Sequence, residues 1–254
     1  MKNFIKHDFN LTFKCKHLRA EKYKQLCLIS DEIVLSNADN IGQLVFHGYE
    51  VVAKEYEHKT NFKAVAYGKN NEIVVCFVGT DSKCLKDHFA NFKMGIGKIT
   101  EQMKLAEKFQ KQIIDKFQGF EIIVAGHSEG GSEAQYVGLS YGLQTYTYNT
   151  FAISKSIIAK AIKNNNGQNF DYLINNYRDS QDPISKLFYK DIGNTYIVEN
   201  SKLVFIMKMP LGRKVAHSLK NMGDCTAAIP IAVYKKEHPF FVNKVGKVGL
   251  VKLN

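Results

Sequence analysis

The chain has 254 residues, 45% of them hydrophobic and 23% charged, which is enough apolar material for one substantial core. Residues 1–7 lack the apolar segment of a secretory signal peptide, and no apolar run approaches the roughly 20 residues that cross a bilayer. These features exclude a helical membrane protein and predict a protein that is cytoplasmic as synthesised. They do not predict an oligomeric state.

The cysteines are widely spaced, and their odd number predicts reduced thiols in a cytosol-like compartment. They are Cys15, Cys27, Cys76, Cys84 and Cys225. The formal net charge of +11 at pH 7 comes from scattered lysines. Two interpretations stay open: a solvated surface, or attraction to an anionic phospholipid surface. No nucleic acid partner is predicted, because the sequence has no zinc-knuckle spacing and no RNP-type motif.

The first part of the chain predicts a helix followed by a hairpin. Residues 18–35 have the apolar spacing of an amphipathic helix, and the polar residues 36–40 end it. Strand-like runs at 62–67 and 72–78 are joined by Gly68-Lys69-Asn70-Asn71, which is a hairpin signature. A second amphipathic helix is predicted next, at residues 100–117.

The segment around Ser128 is the most informative part of the chain. The apolar run 121–125 enters the Gly-x-Ser-x-Gly turn 126–130, and residues 132–141 are compatible with a helix. This order is typical of a nucleophile elbow, the sharp strand-to-helix turn that lifts the serine of an α/β-hydrolase above the end of its sheet. The glycines suit it because strand and helix backbones approach closely there. Ser128 is therefore the candidate nucleophile of a serine hydrolase.

The second half of the chain alternates strands and helices. Residues 145–151 and 170–177 are predicted strands, and residues 154–163 are a predicted helix. Beyond residue 193 the chain becomes more β-like, at residues 196–198, 203–207 and 229–234. The alternation predicts an α/β fold, with a mostly parallel central sheet and helices on both faces.

One α/β-hydrolase domain is predicted over residues 1–254, because the sequence contains no repeats, low-complexity tracts or linkers. Residues 60–220 would form its core. Residues 1–59 would be an N-terminal helical and extended region, and residues 221–254 a C-terminal β-like segment.

An activated serine needs a base and a group that orients the base, and in α/β-hydrolases the chain order is serine, acid, histidine. The histidines downstream of Ser128 are His217 and His238. His217 is the candidate base because it follows the break at residues 209–212, which places it on a loop. His238 precedes a proline and is interpreted as a surface or packing residue.

Asp182 is the candidate acid because it directly precedes Pro183, beyond the strand predicted at 170–177. A residue before proline is held extended, and such folds assemble their sites in the loops beyond strand ends. Asp179 is the close competitor, and either aspartate could be a turn residue that accepts local backbone N–H bonds. Further acids in the interval include Glu133, Asp171, Asp191 and Glu199.

An oxyanion hole needs two backbone N–H donors aimed at the developing negative charge. The residue after the nucleophile supplies one donor in this type of fold, which predicts the N–H of Glu129. The loop after the strand at 72–78 is the candidate for the second, through the N–H of Thr80. The alternative interpretation of residues 79–81 is a simple turn.

Together these segments resemble the class 3 lipase family, the fungal-lipase-like α/β-hydrolases with many bacterial members. The resemblance spans about residues 60–220 and is carried by Val74-Val75-Cys76-Phe77-Val78-Gly79-Thr80, residues 101–117, Gly126-His127-Ser128-Glu129-Gly130-Gly131, Asp182-Pro183 and His217-Ser218-Leu219. It implies hydrolysis of carboxylic esters in lipids. It also implies the roles of nucleophile, acid and base for Ser128, Asp182 and His217, and of oxyanion-hole residues for Thr80 and Glu129.

The chain departs from the family pattern beside the nucleophile. Glu129 stands where family members usually carry an apolar residue, and Val78 stands where they often carry arginine. Residues 82–100 fall where the family often has a lid. They could form an apolar flap with glycine hinges or an ordinary helix packed on the sheet.

Three hypotheses about function stay open. The first is a serine esterase of the lipase or phospholipase A type. The second is a leaderless secreted antibacterial phospholipase effector that acts on target membranes. The third is a catalytically weak lipid-binding or protein-binding module on the same scaffold. The sequence shows no metal-ligand constellation, and the serine hydrolase chemistry needs no cofactor.

Overall fold

The computed structural model describes residues 2–36, 39–79, 98–182, 192–200 and 217–233, with side chains from residue 14 onward. The described strands form one eight-stranded sheet in which each strand is hydrogen-bonded to the next along the chain. They are β1 (Glu50–Glu57), β2 (Phe62–Lys69), β3 (Glu72–Phe77), β4 (Glu121–His127), β5 (Gln144–Tyr148), β6 (Ile174–Asp179), β7 (Asn194–Val198) and β8 (Ile229–Pro230).

The pairing directions make this sheet mostly parallel, as predicted. Strands β1, β2 and β3 form an antiparallel meander, and β8 is antiparallel to β7. From β3 to β7 every pair of neighbours is parallel. The carboxyl ends of these parallel strands therefore meet at one edge of the sheet, where α/β folds place their sites.

Helices cover both faces of the sheet, which was also predicted. The described helices are α1 (Lys2–Leu35), α2 (Glu101–Lys116), α3 (Glu129–Tyr141) and α4 (Lys155–Asn164). Successive residues of a strand face opposite sides. Val74 and Cys76 accordingly pack in a cluster with α1, whereas Val75 and Phe77 pack in a second cluster with the other three helices.

None of the four described helices combines the length and the apolar character that a bilayer crossing requires. Helix α1 is nevertheless longer than predicted, because it begins at Lys2 rather than at residue 18. The prediction rested on the apolar spacing that starts at Leu18. Residues 2–17 contain no glycine or proline, so nothing in their sequence interrupts the helix.

Helix α1 packs against parts of the chain that follow it by about 200 positions. Lys24 Nζ donates to the Gly223 carbonyl at 2.7 Å, across a sequence separation of 199 residues. The N–H of Cys225 donates to Glu21 Oε2 at 2.8 Å, across a separation of 204. Tyr23, on the same helix, is fully buried. The helix is thus tied to the sheet and to the C-terminal described segment at once.

The predicted hairpin is present, but the strand before it was missed. In the hairpin Lys69 pairs with Glu72, and Asn70 at its turn has a φ of 53°, a left-handed conformation that asparagine adopts readily. Strand β1 has Val51 as its one buried residue and no alternation of apolar and polar positions. Because alternation is the signal for a strand, the sequence did not indicate this one.

The strand predicted at 170–177 lies further along the chain. Asp171–Leu173 forms a 3₁₀ turn, and β6 continues to Asp179, which pairs with Val198 of β7. Pairing with β7 extends the strand beyond its apolar residues, an effect that a single segment of sequence does not reveal. Asp179 consequently ends the strand.

The C-terminal β-like segment is shorter than predicted within the described part. Strand β8 covers only Ile229–Pro230 of the expected 229–234, and Pro230 has no N–H to continue the ladder. The strand predicted at 203–207 and residues 82–97 of the expected lid lie outside the described residues.

Candidate active site

Ser128 lies in a tight turn between β4 and α3, and its backbone is held in an unusual conformation. Its φ of 57° and ψ of −121° lie outside the regions that non-glycine residues favour. The Ser128 N–H donates to the Tyr148 carbonyl at 3.1 Å. Its own carbonyl accepts from the Gly131 N–H at 3.2 Å and from Thr150 Oγ1 at 3.0 Å. These bonds from neighbouring elements hold the strained turn in place.

The glycines of the motif are needed for close backbone contact. A Cβ added to Gly126 would overlap the Gly130 carbonyl, and a Cβ added to Gly130 would overlap the Phe77 carbonyl. Backbone atoms cannot move aside as the tip of a flexible side chain can. The first turn of α3 therefore sits directly on β4 and on the end of β3.

Replacing Gly126 with alanine is expected to lower the free energy of unfolding by about 3 kcal/mol, because the new methyl group meets backbone. Gly119→Ala is the matched control, since its Cβ would meet nothing within 4 Å although its φ is 84°. Gly119→Ala should lower the free energy of unfolding by about 1 kcal/mol, because alanine is less stable than glycine in a left-handed backbone. Urea denaturation measures both variants. An equal loss in the two would show that the contact at Gly126 is unimportant.

The structure brings Ser128, His217 and Asp182 together. His217 Nε2 lies 2.8 Å from Ser128 Oγ, and His217 Nδ1 lies 3.0 Å from Asp182 Oδ2. All three side chains are buried. With a hydrogen on Nδ1 donated to the carboxylate, Nε2 is left to accept the hydrogen of the serine hydroxyl. This is the arrangement that activates a serine for attack on a carbonyl carbon.

The two aspartates left open by the sequence have different surroundings. Asp182 contacts His217, as described above. Asp179 instead accepts from the Gln181 N–H at 2.8 Å, from Asn200 Nδ2 at 2.8 Å and from the Gly223 N–H at 3.3 Å. Burial raises the pKa of Asp179, and these donors oppose that rise. Asp179 therefore joins the loops around the site, and its carboxylate is already occupied by three donors.

His217 has helical backbone geometry, although the sequence placed it on a loop. Residue 217 opens the last described segment, and the main chain continues through Ser218 into the 3₁₀ turn Leu219–Asn221. The Phe151 ring lies 6.0 Å from the His217 ring, centroid to centroid. The imidazole is therefore packed beside an aromatic ring as well as bonded through both of its nitrogens.

The predicted oxyanion donors are described only in part. Glu129 is the first residue of α3, so its N–H is one of the donors at the start of the helix, where the helix dipole favours negative charge. Thr80 lies outside the described residues. Gly79, just before it, lies against the elbow, because an added Cβ would overlap the His127 carbonyl and lie 3.1 Å from Ser128 Cβ. The loop after β3 thus reaches the nucleophile.

Sequence reasoning gave no role to His127, the variable residue of the motif. His127 Nε2 lies 2.9 Å from the His217 carbonyl oxygen, and the two rings are 5.2 Å apart. Burial, followed by the nearby His217, lowers the pKa of His127 to about 3. The contact joins positions 90 residues apart, so no local sequence signal could have revealed it.

A buried acid, Glu133, lies one turn beyond the nucleophile on α3. Within the described part of the chain its Oε2 atom has no hydrogen-bond partner. Burial raises the pKa of Glu133 well above its usual range, and the nearby Glu129 adds to the rise. The folded protein therefore favours the neutral form of Glu133 more than the unfolded chain does.

A raised pKa makes folding stability depend on pH. An unfolded glutamate titrates at about pH 4.3, so above that pH the unfolded state releases a proton that the folded state keeps, and stability falls as pH rises. Glu133→Gln should remove this loss and raise the free energy of unfolding at pH 8 but not at pH 4. Urea denaturation at both pH values tests it, with the exposed Glu50→Gln as control. A gain that is equal at both pH values would contradict the expectation.

Among the described residues, no group of three or more His, Cys, Asp or Glu side chains has an arrangement suited to a metal ion. The described contacts around Ser128 are those of acid–base and nucleophilic chemistry.

Comparison with known proteins gives one family and a set of similar structures. A family model described as "Phospholipase-like: Tle-like phospholipase domain" matches residues 37–223. Comparison with curated proteins finds no match.

The similar solved structures are fungal lipases of low sequence identity. The triacylglyceride lipase of Rhizomucor miehei has a TM-score of 0.52 and 13% identity, over 72% of this chain and 80% of that chain. A deletion mutant of a Rhizomucor miehei lipase propeptide complex has a TM-score of 0.51 and 14% identity, over 72% and 67%. A triacylglycerol lipase from Penicillium expansum has a TM-score of 0.46 and 15% identity, over 73% and 79%. The two Rhizomucor structures confirm the predicted α/β-hydrolase fold.

Proposed function

We propose that the chain hydrolyses the acyl esters of phospholipids with Ser128 as nucleophile, because it belongs to the family of Tle-like phospholipase domains. The chain is a lipid ester hydrolase, a member of the fungal-lipase-like group that its sequence resembles. The residues that carry the reaction and the phospholipid class of the substrate are the proposed part.

One observation carries the proposal: the continuous hydrogen-bonded series from Ser128 Oγ through His217 to Asp182, with spacings of 2.8 and 3.0 Å. A serine hydroxyl is a weak nucleophile until a base takes its proton. Ser128 Oγ attacks the ester carbonyl while His217 Nε2 takes the hydroxyl proton, and Asp182 orients the imidazole and stabilises its positive charge.

The reaction then proceeds through an acyl-enzyme. His217 gives its proton to the leaving alcohol, which departs as a lysophospholipid, while the acyl group stays on Ser128. Water enters, His217 takes a proton from it, and the hydroxide formed attacks the acyl carbonyl. The fatty acid leaves and His217 returns the proton to Ser128.

The proposed oxyanion hole consists of the backbone N–H groups of Glu129 and Thr80. The position of Glu129 at the start of α3 and the contact of Gly79 with the elbow support it. Two such donors typically stabilise the developing oxyanion by several kcal/mol. The partly exposed Glu129 side chain is not required for this role, since the donor is its main chain.

An anionic phospholipid surface is the proposed site of action. The charge of +11 at pH 7 would attract the protein to such a surface over about 8–10 Å at moderate salt. The attraction acts on encounter and surface concentration, and it leaves the acyl transfer chemistry unchanged.

Product analysis on defined vesicles tests the proposal. Phosphatidylglycerol vesicles should yield fatty acid and lysophosphatidylglycerol, and phosphatidylcholine vesicles should yield the corresponding products more slowly. Prior treatment with a fluorophosphonate should stop both reactions, and peptide mapping should find the label on Ser128. Release of a phosphorylated head group with intact diacylglycerol, or a label elsewhere, would overturn the proposal.

A further inference from the structure

We propose that His127 is a positioning residue for His217, whose main chain it anchors to the strand that carries the nucleophile. The inference rests on the proposed roles of Ser128 and His217 and adds a residue that is not part of the triad. His127 would hold the base in place through the strand that precedes the nucleophile.

The anchoring contact is a hydrogen bond of known direction. His127 Nε2 lies 2.9 Å from the His217 carbonyl oxygen. A carbonyl oxygen only accepts, so the hydrogen lies on His127 Nε2 and the histidine is the donor. His127 is the last residue of β4 and is followed directly by Ser128. The donor therefore belongs to the rigid strand from which the nucleophile projects.

The bond acts at the main chain of His217, where the triad bonds do not reach. His217 Nδ1 contacts Asp182, and its Nε2 contacts Ser128. Those bonds set the rotation of the imidazole once its Cα is in place. The bond from His127 sets the distance between that Cα and the elbow. A shift of about 1 Å at a reacting group is enough to cost about 100-fold in rate.

The ring of His127 also packs beside the base. The His127 and His217 ring centroids are 5.2 Å apart with an interplanar angle of 37°, and Phe151 lies 6.0 Å from His217 at the same angle. The imidazole of His217 is thus placed beside two aromatic rings. His127 therefore contacts His217 in two ways, by ring packing and by a hydrogen bond, and a test has to separate the two.

A neutral side chain suits this position, because His217 becomes positively charged when it holds the serine proton. The titratable groups that interact with His127 are His217 and Asp182. Burial lowers the pKa of His127 to about 3, with His217 adding to the fall and Asp182 opposing it. At neutral pH His127 therefore donates its hydrogen without bringing a second positive charge to the base.

Substitutions that separate the hydrogen bond from the ring test the proposal. His127→Phe keeps an aromatic ring and removes the donor, whereas His127→Gln places an amide N–H near the position of Nε2. His127→Phe is expected to lower kcat for a soluble p-nitrophenyl ester about 100-fold with KM changed less than about threefold. His127→Gln should recover kcat to within about tenfold of the wild type. Thermal melting confirms that each variant is folded, and the exposed His58→Phe is the matched control.

The outcomes separate this proposal from the proposed function. A folded His127→Phe with wild-type kcat, beside an inactive Ser128→Ala, overturns the role of His127 alone. Undiminished turnover by Ser128→Ala overturns both. If His127→Phe does not fold, His127→Gln is compared with His127→Asn, whose amide is too short to reach. A kcat for His127→Gln at least tenfold above that of His127→Asn supports the proposal, and equal values overturn it.

Discussion

Ser128→Ala is expected to lower kcat for phospholipid and for short p-nitrophenyl esters by about 10⁶-fold, the loss that follows removal of the nucleophile from a serine triad. The substitution removes the oxygen that lies 2.8 Å from His217 Nε2 and leaves the base with nothing to activate. Binding of the substrate does not depend on that oxygen, so affinity for vesicles should persist. Fatty acid release and fluorophosphonate labelling should both disappear.

Ser132 provides the matched control, because it is a buried serine in the first turn of α3, close in sequence to Ser128. Its hydroxyl donates to the Phe151 carbonyl at 2.8 Å and contacts neither histidine of the site through a described hydrogen bond. Ser132→Ala should cost about 1 kcal/mol of stability and keep turnover close to that of the wild type. Comparable turnover in Ser128→Ala and Ser132→Ala would show that Ser128 is not the nucleophile.

Asp182→Asn is expected to lower kcat by about 10⁴-fold while the fold is retained. In the wild type the Asp182 carboxylate accepts the hydrogen on His217 Nδ1, which leaves His217 Nε2 free to accept the proton of Ser128. An asparagine amide that presents an N–H to Nδ1 favours the opposite tautomer, in which Nε2 carries the hydrogen and cannot act as a base. The rate should therefore fall without loss of substrate binding.

Asp179→Asn discriminates between the two aspartates. The Asp179 carboxylate accepts hydrogen bonds from Gln181, Asn200 and Gly223, and the amide of an asparagine cannot accept all three. The variant should lose about 1–3 kcal/mol in the free energy of unfolding, while its kcat stays within about tenfold of the wild type. A larger fall in kcat for Asp179→Asn than for Asp182→Asn would show that the wrong aspartate has been assigned.

Much of the fold and the identity of the three contacting side chains could be predicted from the sequence. The run into Ser128 combines an apolar strand, two glycines and a helix, and this combination has few structural solutions. The order serine, acid, histidine then restricts the search to a few residues. Helix α2 could also be predicted from the sequence, because its apolar residues recur on one face. These residues are all buried in the structure: Met103, Ala106, Phe109 and Ile113.

The remaining features depend on contacts between distant segments. Asp179 ends β6 and Asp182 follows three residues later, so their sequence positions are similar and only their partners distinguish them. The donor role of His127 exists because residue 217 folds back over β4, and strand β1 exists because β2 offers it an edge. The predicted lid and Thr80 lie largely outside the described residues, and export to a target cell stays a prediction.

The packing of α1 against residues 219–227 has a consequence for how the protein is made. This helix is synthesised before its partners, since Lys24 and Glu21 bond to Gly223 and Cys225, which are made about 200 residues later. At about 5–20 residues per second, the buried face of α1 waits for roughly 10–40 seconds before its partners exist. Gly223 also donates to Asp179, and His217 belongs to the same late segment. The candidate active site and the packing of α1 are therefore completed together, once this late segment has been made.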